Sequence, residues 1–174
     1  MFLISNHILI CNPDIKLPKD TVVRINCAWI ENTQELKNFI DKCEYPIFLD
    51  YPSNRIKPPQ PTISIETAIG IANRYAKIEY FSYSNASDIH EALEIWHEVD
   101  KKIVPNIEDI KGVVSLRGLV EALKTDMIMI DKEDLFTNCN NIELYLFALD
   151  NIRDTCKELN IKALELYGVI FSHD

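Results

Sequence analysis

From Thr21 onward, short apolar runs rich in Val and Ile alternate with segments of helical periodicity. The run TVVRIN predicts a strand, and TQELKNFIDKC after it places Leu36 and Phe39 at helical spacing behind a cap at Thr33. Apolar strands that alternate with helices require a parallel sheet covered on both faces. The alternation therefore predicts an α/β fold, either a doubly wound sheet or a βα-barrel.

The same pattern continues along the chain. Further strands are predicted at PIFLD, KIEYFSYS, KKIVPNIE, DMIMID and KALELYGVIF. Helices are predicted between them, and one of these, GVVSLRGLVEAL, turns Leu116, Leu119, Val120 and Leu123 inward. The proline-rich YPSNRIKPPQP must be a loop, because its prolines resist helix formation. With no long linker, we predict one domain over residues 1–174 with about six to seven βα units.

Polar side chains at the strand ends favour the barrel over the doubly wound sheet. The four glycines form no phosphate-cradling loop, so the dinucleotide-binding fingerprint is absent. Barrels of this class keep their functional residues at the carboxyl ends of the strands. The polar residues at those ends are Arg24, Asn26, Asp50, Ser82, Ser84, Glu108, Asp131 and Asp134.

Composition excludes several other functions. The formal net charge is -9 without a basic stripe, which disfavours nucleic-acid binding. The amino-terminal MFLISNHILICNPD has neither a basic region nor an unbroken apolar span, so we expect a cytoplasmic protein without a membrane segment. Five scattered cysteines in such a protein are typical of reduced core thiols rather than of a zinc or redox site.

Four stretches resemble, in order, the strand-end motifs of the pyruvate kinase barrel. They are VVRIN, FLDYPSNRI, IEYFSYSNASDIHEA and IVPNIEDIKGVVSLRGLVEALKTDMIMIDKEDL. The Arg-Ile-Asn strand, the Ile-Glu with its following Gly-Val and the Asp-Leu are also similar to the citrate lyase β-subunit and the HpcH/HpaI aldolases. The resemblance covers roughly residues 7–170. It implies a truncated TIM-like barrel of the phosphoenolpyruvate/pyruvate superfamily, without the kinase's nucleotide lid and carboxyl-terminal regulatory domain.

The resemblance also implies a site. Glu108 and Asp134 match the two carboxylates that hold Mg²⁺ or Mn²⁺, which binds the oxygens of pyruvate, phosphoenolpyruvate or another small oxoacid. Arg24 matches the arginine that faces the anionic group of the substrate. Asn26 and Asp50 match positions that help to hold a monovalent cation in the kinase. Ser82 and Ser84, which end the next strand, are expected to contact the substrate as well.

The departures from the kinase pattern matter for function. Asn106 stands where the kinase has its essential lysine, and the turn CAW replaces Ser-His-Gly after Asn26, which argues against the monovalent-cation site. Lys132 and Glu133 replace Arg-Gly before the metal aspartate. Phosphoryl transfer needs the nucleotide held and its charge neutralised, so pyruvate kinase activity is not expected.

Each site residue also has a structural interpretation that the sequence leaves open. Arg24 is able to form a salt bridge with Asp50 or Glu108 instead of meeting a substrate. Glu108 is able to act as a helix cap, since acidic residues favour helix amino termini. Asp131 competes with Asp134 as a ligand, and Asn106 is either a ligand-binding group or a polar spacer.

Three functions follow from these alternatives. The first is a metal-dependent lyase or aldolase that stabilises an enolate of a small oxoacid. The second is a degenerate, non-catalytic sensor or regulatory subunit, and the third is an assembly module. Barrels of this type usually need about 250 residues, so shortened units or an open edge are expected in 174 residues. We therefore expect a homodimer, a higher oligomer or a partner protein that covers this edge.

Overall fold

The computed structural model describes residues 2–53 and 58–166 of the chain. From Thr21 onward strands and helices alternate as the sequence predicts, and a further strand and helix precede Thr21. The strands are β1 (Phe2–Ser5), β2 (Thr21–Asn26), β3 (Ile47–Tyr51), β4 (Ile78–Tyr83), β5 (Lys102–Ile107), β6 (Met127–Asp131) and β7 (Lys162–Leu166). The helices are α1 (Asn6–Cys11), α2 (Thr33–Lys42), α3 (Ile65–Arg74), α4 (Ile89–Glu98), α5 (Ile110–Leu123), α6 (Lys132–Cys139) and α7 (Ile142–Leu159). A short 3₁₀ turn, Cys27–Trp29, follows β2.

The chain forms two compact units. The first contains the described residues up to Ser82 together with Val99–Lys102, and the second contains Tyr83–Glu98 and the described residues from Ile103 onward. In the first unit β1, β2 and β3 pair in parallel, with Asn26 opposite Asp50. In the second unit β5, β6 and β7 pair in parallel in the same chain order.

Strands β3 and β6 are buried on both faces, which explains why they read as continuous apolar runs. β3 and β6 each carry four consecutive buried residues. Each described helix except α1 buries apolar side chains, and α5 buries the four leucine and valine side chains predicted to face inward. The helix α2 begins at the predicted place, but its cap is Asn32 rather than Thr33. The Asn32 side chain accepts from the N–H groups of Gln34 and Glu35.

The predicted fold class, an incomplete α/β barrel of parallel strands, is confirmed by this order of seven strands in the described residues. The last predicted strand begins at Lys162, and its residues 167–171 lie outside the described part. None of the described helices is both long and apolar enough to cross a bilayer. The single domain and the cytoplasmic location stay predictions.

Candidate metal centre

Three carboxylates of the second unit converge after the ends of β5 and β6. Glu108 directly follows β5, Asp131 is the last residue of β6, and Asp134 lies in the first turn of α6. One oxygen from each of the three lies within 4.8 Å of the others. Glu108 is buried, with 6% of its surface exposed, and the two aspartates are half-buried. The structure thus brings together the predicted ligands Glu108 and Asp134, and it adds Asp131.

Helix α6 fixes two of these side chains through its own capping. Asp131 is its N-cap residue, and its Oδ1 accepts a hydrogen bond from the Asp134 N–H at 3.2 Å. Near the other end of the helix, the side chain of Asn138 donates to the backbone carbonyl of Glu108 at 2.8 Å. One short helix therefore supplies Asp134, orients Asp131 and ties the chain that carries Glu108.

Asn106 holds the Glu108 carboxylate directly. The two residues are two apart on β5 and its extension, so their side chains lie on the same face of the strand. Nδ2 of Asn106 donates to Oε1 of Glu108. The Asn106 side chain is fully buried, and its Oδ1 has no hydrogen-bond partner among the described residues.

The donor set suits a hard divalent cation. Two ionised carboxylates within 4.8 Å of each other repel by at least roughly 3.5 kcal/mol at an effective dielectric constant of about 20, so three of them favour a bound positive charge. Mg²⁺ prefers oxygen ligands at about 2.1 Å in an octahedron, which places neighbouring ligands about 3.0 Å apart and opposite ligands about 4.2 Å apart. The three oxygens lie within 4.8 Å of one another, and side-chain shifts would bring them onto one ion.

Close packing beside the cluster depends on Gly112 in the first turn of α5. A Cβ atom at this position would lie 2.8 Å from the backbone oxygen of Ala86 and 3.3 Å from the Ile107 side chain. The Gly112 N–H donates to Oδ1 of Asp109 at 2.7 Å, which makes Asp109 the N-cap of α5. The acidic pair after β5 therefore divides: Asp109 caps the helix, while Glu108 faces the cluster.

In the first unit, Arg24 forms an ion pair with Asp50, one of the two partners that the sequence left open. Nη2 of Arg24 lies 2.6 Å from Oδ2 of Asp50, and Nε donates to the same oxygen at 3.0 Å. The Asp50 side chain is fully buried and that of Arg24 is 17% exposed. Burial and the nearby Asp50 charge raise the pKa of the Cys27 thiol far above its usual range.

The remaining predicted site residues have local structural partners or lie in buried positions. Oδ1 of Asn26 accepts from the Ala28 N–H at 2.9 Å and so caps the 3₁₀ turn. Ser82 ends in a buried hydroxyl without a hydrogen-bond partner in the described part of the chain, and Ser84 is buried just after β4. The metal role of Asn26 and Asp50 and the substrate role of Arg24, Ser82 and Ser84 stay predictions.

Two residues of the centre were not among the ligands chosen from the sequence, Asp131 and Asn138. Asp131 stands at a strand end and three residues before Asp134, which is the spacing of a capping residue and its N3 partner. This spacing is visible in the sequence, and it makes Asp131 an alternative ligand to Asp134. Asn138 has no comparable signal, because its contact depends on where α6 packs.

Comparisons with known proteins identify the fold rather than a family. No family model matches the chain, and neither does any curated protein. Citrate synthase SbnG matches with a TM-score of 0.65 and 12% identity over 96% of this chain and 77% of its own. RipC from Yersinia pestis matches with a TM-score of 0.62 and 13% identity over 83% and 68%.

A third structure is protein CitE from Mycobacterium tuberculosis in complex with magnesium and acetate. It matches with a TM-score of 0.61 and 13% identity over 83% of this chain and 63% of its own. At 12–13% identity these three structures show the fold alone. The likeness to pyruvate kinase stays a prediction.

Proposed function

We propose that this chain is a divalent-metal-dependent protein that binds a small 2-oxoacid or a phosphoenolpyruvate-like ligand and acts as a lyase or aldolase. The convergence of Glu108, Asp131 and Asp134 carries the proposal. Such a set of oxygen ligands is what Mg²⁺ or Mn²⁺ requires, and it leaves positions for the oxygens of a bidentate acid.

The roles of the residues follow from their contacts. A bound Mg²⁺ would supply Lewis acidity at the carbonyl oxygen of the substrate. Asn106 and Asn138 hold the Glu108 side chain and backbone, so this ligand needs little reorganisation. Asp131 and Asp134 are linked by a hydrogen bond in the first turn of α6, from the Asp134 N–H to Oδ1 of Asp131.

The comparisons support the same ligand class. CitE, which shares the fold, was crystallised with magnesium and acetate, a small carboxylate. SbnG, which also shares it, is a citrate synthase. Acetate and citrate are both small carboxylates, and the carboxylate cluster of this chain would bind such an acid through a cation.

A non-catalytic sensor or regulatory subunit is the second candidate. The observation that favours it is the neutral Asn106, which hydrogen-bonds Glu108 at the position of the kinase lysine. Arg24, the predicted substrate cation, is engaged by the buried Asp50. A protein with these pairings would bind a metal and an acid without a cationic side chain beside the reacting atoms.

Metal binding is the first test. Mn²⁺ or Mg²⁺ at 100 times its dissociation constant should stabilise the fold by about 2.7 kcal/mol. Thermal unfolding would measure this gain as a rise of roughly 5–10 °C for a chain of this size. Glu108→Gln should abolish most of the gain, because it removes a charged ligand.

Glu133→Gln is the matched control. Glu133 lies on the same turn of α6 as Asp134 but is exposed and outside the cluster, so its loss of charge should leave the metal response intact. The same rise in Glu108→Gln as in the original protein would refute the metal site.

Cleavage of a 4-hydroxy-2-oxoacid to pyruvate, followed by coupled reduction, would then separate the lyase from the sensor. Light scattering would test the expected homodimer or oligomer.

A further inference from the structure

A fully buried amide oxygen at the metal centre lacks a donor. Oδ1 of Asn106 has no hydrogen-bond partner among the described residues, although the Asn106 side chain is 0% exposed. A buried acceptor without a partner costs about 1–3 kcal/mol, and native proteins rarely keep one without a reason. Beside a metal centre, a molecule bound to the metal is able to supply the missing donor.

The other atoms of the amide show where that donor would come from. Nδ2 of Asn106 is fixed by Oε1 of Glu108, and Oδ1 is attached to the same carbon atom. The acceptor is therefore held next to a carboxylate of the metal centre. A carboxylate accepts several hydrogen bonds or metal contacts at once, so Glu108 is able to accept from Asn106 and also ligate a cation.

Only certain chemical groups satisfy this oxygen. An oxygen ligand without a hydrogen atom, such as the carboxylate of an oxoacid, cannot donate a hydrogen bond to Oδ1. An O–H group on the cation, either a coordinated water or the hydroxyl of a 2-hydroxy acid, donates strongly because the metal polarises the bond. The amide would then bridge a protein ligand of the metal and a non-protein ligand of the same metal.

We infer that Asn106 is an outer-sphere residue whose Oδ1 accepts a hydrogen bond from an O–H group coordinated to the metal at Glu108, Asp131 and Asp134. The inference rests on the proposed metal-dependent function and deepens it. It makes Asn106 a selector for ligands that carry a hydroxyl or retain a metal-bound water. It also assigns a role to Asn106, which stands where the resemblance places the kinase lysine.

The test compares Asn106→Leu with the original protein, in Mn²⁺ titrations followed by electron paramagnetic resonance. Leucine has nearly the shape of asparagine but neither donates nor accepts. Loss of an outer-sphere partner weakens metal sites by roughly 10–100-fold. If the donor is a coordinated water, we expect the Mn²⁺ affinity measured without any acid to fall by this factor. If the donor is a ligand hydroxyl, Mn²⁺ affinity should hold, and glycolate affinity should fall tenfold or more while oxalate affinity does not.

Thr21→Val is the matched control for folding. Thr21 is also fully buried, its hydroxyl also lacks a partner in the described residues, and it lies at the start of β2 in the first unit. Its replacement should leave all three affinities unchanged. If Asn106→Leu does not fold, Asn106→Ala removes the amide without adding bulk and gives the same comparison.

The outcomes separate this inference from the proposed function. If the Asn106 variant binds Mn²⁺, glycolate and oxalate within twofold of the original protein, the outer-sphere role is overturned while the metal site stands. An equal loss for glycolate and oxalate with unchanged Mn²⁺ affinity overturns it as well, because oxalate brings no hydroxyl. If the original protein does not bind Mn²⁺, both proposals fail together.

Discussion

The ion pair between Arg24 and Asp50 permits a decisive test of whether Arg24 is a structural or a substrate-binding residue. Asp50 is fully buried, and within the described residues its Oδ1 has no hydrogen-bond partner. Among the described residues, Arg24 makes two polar contacts with Oδ2, at 2.6 and 3.0 Å. Replacement of Arg24 by methionine keeps the length of the side chain but leaves a buried carboxylate without its counter-charge.

The size of the effect follows from that burial. Removal of one partner from a buried ion pair costs about 3–5 kcal/mol, because the remaining charge keeps its desolvation penalty. For a chain of 174 residues, each kcal/mol shifts the melting temperature by about 2–4 °C. Arg24→Met should therefore lower the melting temperature by roughly 6–20 °C, and urea denaturation followed by circular dichroism would measure the loss of free energy.

Arg117→Met serves as the control for a lost arginine. Arg117 also pairs with an acidic residue, Glu158, but these side chains are 50% and 63% exposed. An exposed pair contributes at most about 1 kcal/mol, so this variant should be nearly as stable as the original. Adding Asp50→Asn to Arg24→Met should recover part of the loss, since a neutral amide tolerates burial better. Equal, small losses in the two arginine variants would refute the structural role and leave Arg24 to an anionic ligand.

Two further predictions concern packing and pH. Gly112→Ala should destabilise the fold by about 1–3 kcal/mol, because the added Cβ would lie 2.8 Å from the Ala86 backbone oxygen. Gly70→Ala should stabilise the fold by about 0.5–1 kcal/mol, because a Cβ there meets no neighbouring atom within 4 Å. Equal urea midpoints for the two variants would contradict this pair of expectations. Burial raises the pKa of Cys156 from 9.0 to about 11. The unfolded chain therefore loses the Cys156 thiol proton at a lower pH than the folded protein does. The contribution of the buried thiol to stability should be full below pH 9 and should fall as the pH rises towards 11. Denaturation curves across that range should show a smaller fall in Cys156→Ala, and an unchanged fall would contradict the assignment.

The repeated strands and helices could be predicted because burial on both faces leaves a strong signal in the sequence. Runs such as MIMID have few polar residues, so their strand assignment did not depend on packing details. The sequence did not single out α6, which is eight residues long and ends at Asn140 with φ of 49°. A short helix between a strand and a longer helix has too little periodicity to be distinguished from a loop.

The candidate site was predictable only in part, for a different physical reason. Glu108 and Asp134 stand in motifs, and Asn106 shares a strand face with Glu108, so these positions could be inferred from local spacing. The pairing of Arg24 with Asp50 depends on the register of β2 against β3, which no local pattern specifies. Whether Arg24 meets Asp50 or a substrate is therefore a question that only tertiary structure addresses.

Charge balance at the carboxylate cluster separates metal binding from phosphoryl transfer. Three carboxylates attract a divalent cation without help from a lysine, and the neutral Asn106 orients one of them without adding charge. Lys132 neighbours the cluster in the sequence, but its ammonium pairs with Glu165 on β7. A transferring phosphoryl group needs added positive charge to offset its own negative oxygens, whereas a monocarboxylic acid needs only a cation to which two of its oxygens bind. The arrangement in this unit therefore favours cation-mediated binding of a small carboxylic acid over the kinase reaction. At equal free Mn²⁺, corrected for chelation in solution, a nucleotide should not alter Mn²⁺ affinity at concentrations at which oxalate or glycolate does.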